Sequence, residues 1–127
     1  MAGSYEQINY ALRPAKAVER KMLAEAFSCL RSFRNPSTYR YIGFGSTYFS
    51  DFHLLHKALG ITDMHSIEKD VHNQTRFEFN RPFDCIQLVF DDSTTALPAL
   101  VESDIPSIVW LDYDGTISSD VLADART

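Results

Sequence analysis

After Pro14, apolar side chains recur at Val18, Met22, Leu23, Ala26, Phe27, Leu30 and Phe33, at intervals of one, three and four that align them on one face of a helix. Pro14 suits a first helical turn, where its missing N–H costs nothing, and Asn35-Pro36 supplies a stop. The pattern predicts a helix over about 14–33, with Lys16, Glu19, Arg20 and Lys21 turned to water. From Tyr39 onward short apolar runs alternate with amphipathic stretches, the arrangement of parallel strands joined by covering helices. Strands are predicted at 39–43, 64–68, 84–90 and 107–112. Helices are predicted at 48–59, stopped by Gly60, at 71–79, at 94–102, and from about Ser118.

In open sheets of this kind ligands bind beyond the carboxyl ends of the strands. Those ends carry residues 43–47, 68–70, 91–93 and 112–116, all polar or glycine-bearing and three of them acidic. Gly43-Phe44-Gly45 offers a tight strand-to-helix turn in which the protein backbone can approach a ligand, and Glu68, closing the next strand, can accept hydrogen bonds from a ribose. A nucleoside-containing cofactor is implied. A dinucleotide fingerprint would place a third glycine where Tyr48 stands, so a pyrophosphate packed on the helix is disfavoured.

The 127 residues suffice for one domain, and 45% hydrophobic with 13% aromatic residues support a core. Twelve basic against 17 acidic residues leave a charge of -5, which argues against bulk nucleic-acid binding or an anionic membrane and favours a small-molecule ligand. Cys29 and Cys85 sit in amphipathic and apolar surroundings and read as buried small hydrophobes in a reducing cytoplasm. No apolar run reaches the about 18 residues needed to cross a bilayer, and residues 1–9 lack the pattern of a secretion signal.

The loop, the ribose acid and the strand-end acids together make the chain resemble the class I S-adenosylmethionine-dependent methyltransferases, in particular stand-alone chains of O-methyltransferase type. In that family a glycine-rich loop lies under the methionine part of the cofactor; Gly43, Gly45, Ser46 and Thr47 match it. Glu68 matches the acid that holds the ribose hydroxyls, and Asp92-Ser93 the polar motif beside the adenine. Asp112-Tyr113-Asp114 matches the acidic motif near the reacting methyl group, which makes Asp112 and Asp114 the catalytic candidates. Metal-dependent members hold a divalent cation at this strand end, so the same two acids could ligate one.

The resemblance implies an α/β, Rossmann-like three-layer sandwich, with a parallel sheet of order 3-2-1-4 in the part present and an extra N-terminal helix. Residues 1–36 would form a helical cap and 37–127 the cofactor-binding domain. The family departures are Tyr41, where an acid often stands, and Thr47, where a third loop glycine does. Family sheets have seven strands, so the chain reads as truncated at its C-terminus. Residues 108–111 would then form an apolar edge for a second copy or a partner chain to cover.

A second reading starts from Asp112-Tyr-Asp-Gly-Thr, which also matches the first motif of haloacid-dehalogenase-like phosphatases. There Asp112 would attack phosphorus and Asp114 act as acid and base, but the later motifs of that family have no room after Thr116. A non-catalytic interaction module is the third reading. His53 and His56, three apart on a helix, read as packing or surface residues, His65 and His72 as polar margins of a strand. Among Arg76, Phe77, Phe79 and Arg81 the aromatics read as core in preference to a nucleic-acid platform.

Overall fold

The computed structural model describes residues 14–45, 49–112 and 118–127. Among them four parallel strands, β1 (Arg40–Gly43), β2 (Asp63–Glu68), β3 (Ile86–Phe90) and β4 (Ser107–Trp110), lie in the order β3-β2-β1-β4. Among the described residues five α-helices accompany them: α1 (Pro14–Ser28), α2 (Ser50–Leu59), α3 (Gln74–Asn80), α4 (Ser93–Leu100) and α5 (Ser119–Ala125). The α/β class, the sheet order and the extra N-terminal helix agree with the sequence expectation.

Alternation along the strands divides the core between the two faces of the sheet. Tyr41, Met64, Ile86 and Ile108 face one side, where Phe49, Phe52, Leu55, Leu59 and Phe77 cover them. Ile42 and Ile67 face the other, under Ala96 and Leu97 of α4. Gly60 ends α2 in the left-handed conformation at φ 71°, the stop its sequence position announces.

The first helix departs from expectation. It ends at Ser28, a 3-10 turn continues over Cys29–Ser32, and the face turned inward is that of Arg20 and Ala24. Val18, Met22 and Phe33, predicted to be core, are exposed, and so is Cys29, predicted to be buried. Phe27 and Leu30 alone of the apolar stripe pack against the core, with Leu23 and Ala26 exposed. Two features set this orientation. Ala24 is small enough for close approach to the core, and Arg20 meets a carboxylate on α2.

The aromatic pair on α3 also divides. Phe77 is buried between Phe49 and Phe90, whereas Phe79, two residues on and therefore about 200° around the helix, is exposed. Phe83 packs against the rings of His53 and His56, whose role is thus packing, as expected. His65 is buried on β2 and hydrogen-bonded to Asp63 at 2.8 Å, so it is part of the interior and not a polar margin.

At the amino-terminal rim of the sheet, Arg40 clamps three segments. Its Nε donates to Asp63 at 2.9 Å, and its Nη1 donates to the Leu100 carbonyl at 2.8 Å and to Glu102 at 3.2 Å. Burial works against the Asp63 carboxylate, but the hydrogen bonds and charges of Arg40 and His65 outweigh it and hold Asp63 below the usual range.

Candidate functional site

At the opposite rim, the carboxyl ends of all four strands open onto a cavity of about 790 Å³, within the ordinary size range of small-molecule sites. Gly45, Glu68, Asp92, Ser93 and Asp112 line it. Five of the sequence-predicted site residues are therefore gathered around one space. Ser46, Thr47 and Asp114 lie outside the described residues.

The glycines owe their place to space and not to unusual backbone angles, since Gly60 is the only glycine with positive φ among the described residues. A Cβ on Gly43 would stand 2.6 Å from the Tyr41 hydroxyl, so Gly43 lies beneath the cavity floor and not on its lining. A Cβ on Gly45 would stand 2.6 Å from Ser66 Oγ and 2.7 Å from the Phe49 ring. Phe49 itself adopts φ 52°, a left-handed conformation costly for an aromatic residue, and its fully buried ring packs edge-on against Phe52 and Phe77. The turn is thus wedged between a hydroxyl and a ring.

Glu68 is 7% exposed at the end of β2. Its Oε1 accepts from Ser66 Oγ at 2.7 Å, and Ser66 Oγ in turn accepts the Gly45 N–H at 3.0 Å. Burial pushes the Glu68 carboxyl up to about 8, with Asp70 adding to the rise and the hydrogen bonds of Ser66 and Gly45 opposing it. Ser66 was missed by motif reading. Its signal was the strand period of two, which puts it on the face of Glu68.

Asp92 and Ser93, matched in sequence to an adenine-side motif, have structural duties. Asp92 caps α4 by accepting the Thr95 N–H at 2.9 Å, and Ser93 donates its hydroxyl to the buried Asp124 of α5. Both still border the cavity.

The far side of the cavity holds a feature that sequence reading assigned to solvent. Arg20 of α1 is buried, donates through Nε to Asp51 of α2, and lies with its guanidinium carbon 5.9 Å from the centre of the Trp110 ring. Asp51 is raised by burial, which exceeds the opposing effect of Arg20, while the nearby Asp112 raises it further. Burial, and then Asp51, push the Tyr41 hydroxyl well above its ordinary value. Tyr41, which the sequence reading set apart at this position, is thus a core residue close enough to Arg20 and Asp51 to feel their charges, without lining the cavity.

Asp112, exposed at the end of β4, lines the same space. Among the described residues no group of three or more His, Cys, Asp or Glu side chains is arranged to hold a metal ion. Seven of the described lining residues are carboxylic acids, against the two cations Arg20 and Lys69. Such a lining favours a cationic ligand over a polyphosphate. No described helix is long and apolar enough to cross a membrane.

The model of the family described as "Putative O-methyltransferase" matches residues 8–127. No curated protein and no solved structure gives a match to the chain. With nearly its whole length covered by that model, and with its parallel sheet folded in the order that the resemblance implied, the chain belongs to this O-methyltransferase family.

Proposed function

We propose that the chain binds S-adenosylmethionine in the strand-end cavity and carries out methyl transfer to an acceptor oxygen, or forms the cofactor-binding part of an enzyme that does. The observation that carries this reading is the hydrogen-bonded link from Gly45 through Ser66 to Glu68, which sets a turn amide and a buried carboxylate side by side at one rim. The residues fit the cofactor: a carboxylate for two ribose hydroxyls, a close-packed turn for the methionine part, and an acid-rich wall for a sulfonium. Its zwitterionic amino-acid end would find a cation in Arg20 and an acid in Asp51.

The bound sulfonium supplies a methyl group that is already activated. The protein's part is therefore to hold the acceptor oxygen in line with the breaking bond and to keep bulk water from competing. Asp112, with Asp114, would accept the acceptor's hydrogen bond and take its proton as the oxygen attacks. Residues 1–36 would act as a cap that brings Arg20 over the cavity, with residues 37–127 as the cofactor-binding domain. A divalent cation bound by Asp112 and Asp114 would lower the pKa of the acceptor hydroxyl.

The phosphatase reading of Asp112-Tyr-Asp-Gly-Thr has less support, because the carboxylates around Asp112 repel a phosphate anion. The test is calorimetric titration with S-adenosylmethionine, alongside Glu68→Ala. Saturable binding that the substitution removes supports the proposal; no heat and no thermal shift at millimolar ligand overturns it. Magnesium-dependent hydrolysis of p-nitrophenyl phosphate lost in Asp112→Asn would establish the phosphatase instead.

A further inference from the structure

This inference rests on the cofactor reading above and deepens it. Ser66 stands opposite Gly43 in the β1–β2 register and two residues before Glu68, on the same face of the strand. It is fully buried, and its hydroxyl is engaged on both sides: it accepts the Gly45 N–H at 3.0 Å and donates to Glu68 Oε1 at 2.7 Å. A hydroxyl has one proton to give, and here it goes to the carboxylate. The chain therefore runs in one direction, amide to hydroxyl to carboxylate, with each bond polarising the next. A side chain that merely filled the space would leave both a buried amide and a buried carboxylate short of a partner.

We propose that Ser66 is the positioning residue of the cofactor site, joining the glycine turn to the ribose-binding carboxylate of Glu68 and favouring its ionised, acceptor-only form. The turn and the carboxylate then hold one geometry, which a ligand spanning both requires. The burial-driven rise of Glu68 to about 8 makes this bond count, since within the site the Ser66 hydroxyl is the strongest influence in the opposite direction. Asp70 and Lys69 at its own strand end, Asp91 and Asp92 after β3, and Asp120 on α5 are the charged groups around Glu68 on the near side. Across the cavity stand Asp112 and the Arg20–Asp51 pair. Substitution of Ser66 changes none of these, so a moved titration reports the lost hydroxyl.

The experiment uses the full chain as wild type, Ser66→Ala and Ser66→Thr. Carbon-13 NMR follows the Glu68 carboxyl titration without ligand, and calorimetry follows S-adenosylmethionine affinity across the same pH range. In Ser66→Ala the carboxyl is expected to titrate at higher pH. Affinity near neutral pH is expected to fall about tenfold, with its pH midpoint displaced upward; Ser66→Thr, which keeps the hydroxyl, restores both. An unmoved Glu68 titration, or an affinity loss equal at every pH, overturns the proposal. If Ser66→Ala does not fold, Ser66→Cys, with similar volume and a weak donor, is read by the same two signals. A wild-type chain that binds no S-adenosylmethionine removes the cofactor reading, whereas the ligand-free titration still decides the coupling of Ser66 to Glu68.

Discussion

Arg20 of the first helix and Asp51 of the second form a nearly buried ion pair at the cavity wall, with the guanidinium against the Trp110 ring. A carboxylate left in that environment without its cation is strongly disfavoured. Arg20→Ala is expected to lower unfolding free energy by about 3 kcal/mol, near the lower end of the effect of breaking a buried pair, measured by urea denaturation. Arg20→Lys should recover only part of it, because an ammonium lacks the planar, delocalised charge that the guanidinium sets near Trp110 and Asp51. A loss no larger than that of an exposed arginine would show that the pair does not act as a buried unit.

Glu68 makes stability depend on pH in a definite direction. Its folded value of about 8 lies above the ordinary 4.5, so the native state binds the proton more tightly than the unfolded chain does. The contribution is fully present below the unfolded value and is lost as pH rises through about 8. Stability of the ligand-free protein should therefore decline by a few kcal/mol, an order-of-magnitude figure, between mildly acidic and mildly alkaline pH. Glu68→Gln should flatten that part of the profile. Because ribose hydroxyls donate to the ionised form, cofactor binding near neutral pH should release a proton, visible as a buffer-dependent calorimetric enthalpy.

Gly45→Ala should damage the site through steric pressure. The new methyl would meet Ser66 Oγ at 2.6 Å and the Phe49 ring at 2.7 Å, and both neighbours are buried. Overpacking of this kind costs about 1–3 kcal/mol, and the displaced turn should weaken S-adenosylmethionine binding more than tenfold. Unchanged affinity in the alanine variant would mean that the turn does not contact the cofactor.

Asp112→Asn is expected to separate binding from chemistry. Its carboxylate is exposed in the cavity, so substitution should leave the melting temperature and cofactor affinity nearly unchanged. Turnover with a competent acceptor should fall by about a hundredfold or more if the group takes the acceptor proton. A variant with normal kcat would remove Asp112 from the catalytic step.

Arg40 supplies the contrasting case at the far rim. Arg40→Ala removes hydrogen bonds that tie β1 to Asp63 and to the segment after α4, and should destabilise the fold by about 2 kcal/mol. The Asp63 carboxylate is held low in the native state, so its share of stability is present above the ordinary carboxylate range and lost on acidification through its lowered value. Cofactor affinity of the folded variant should match wild type. A selective loss of binding without loss of stability would contradict the separation of the two rims.

Local sequence determined the parts of this protein that depend on near neighbours. Short apolar runs announced four strands, Gly60 announced the end of α2, and the glycine turn and the acid at the next strand end announced residues that meet at one cavity. Tertiary structure decided which face of α1 turns inward. Seven apolar positions proposed one face, but only packing could show that Ala24 permits the closer approach and that Asp51, far along the chain, gives Arg20 a partner. Tertiary structure likewise decided why Gly45 is glycine, since its neighbours Ser66 and Phe49 reach it from another strand and from beyond the turn. Periodicity records the average polarity of a face, whereas burial of a charge or the exclusion of one methyl group depends on contacts between residues distant in sequence.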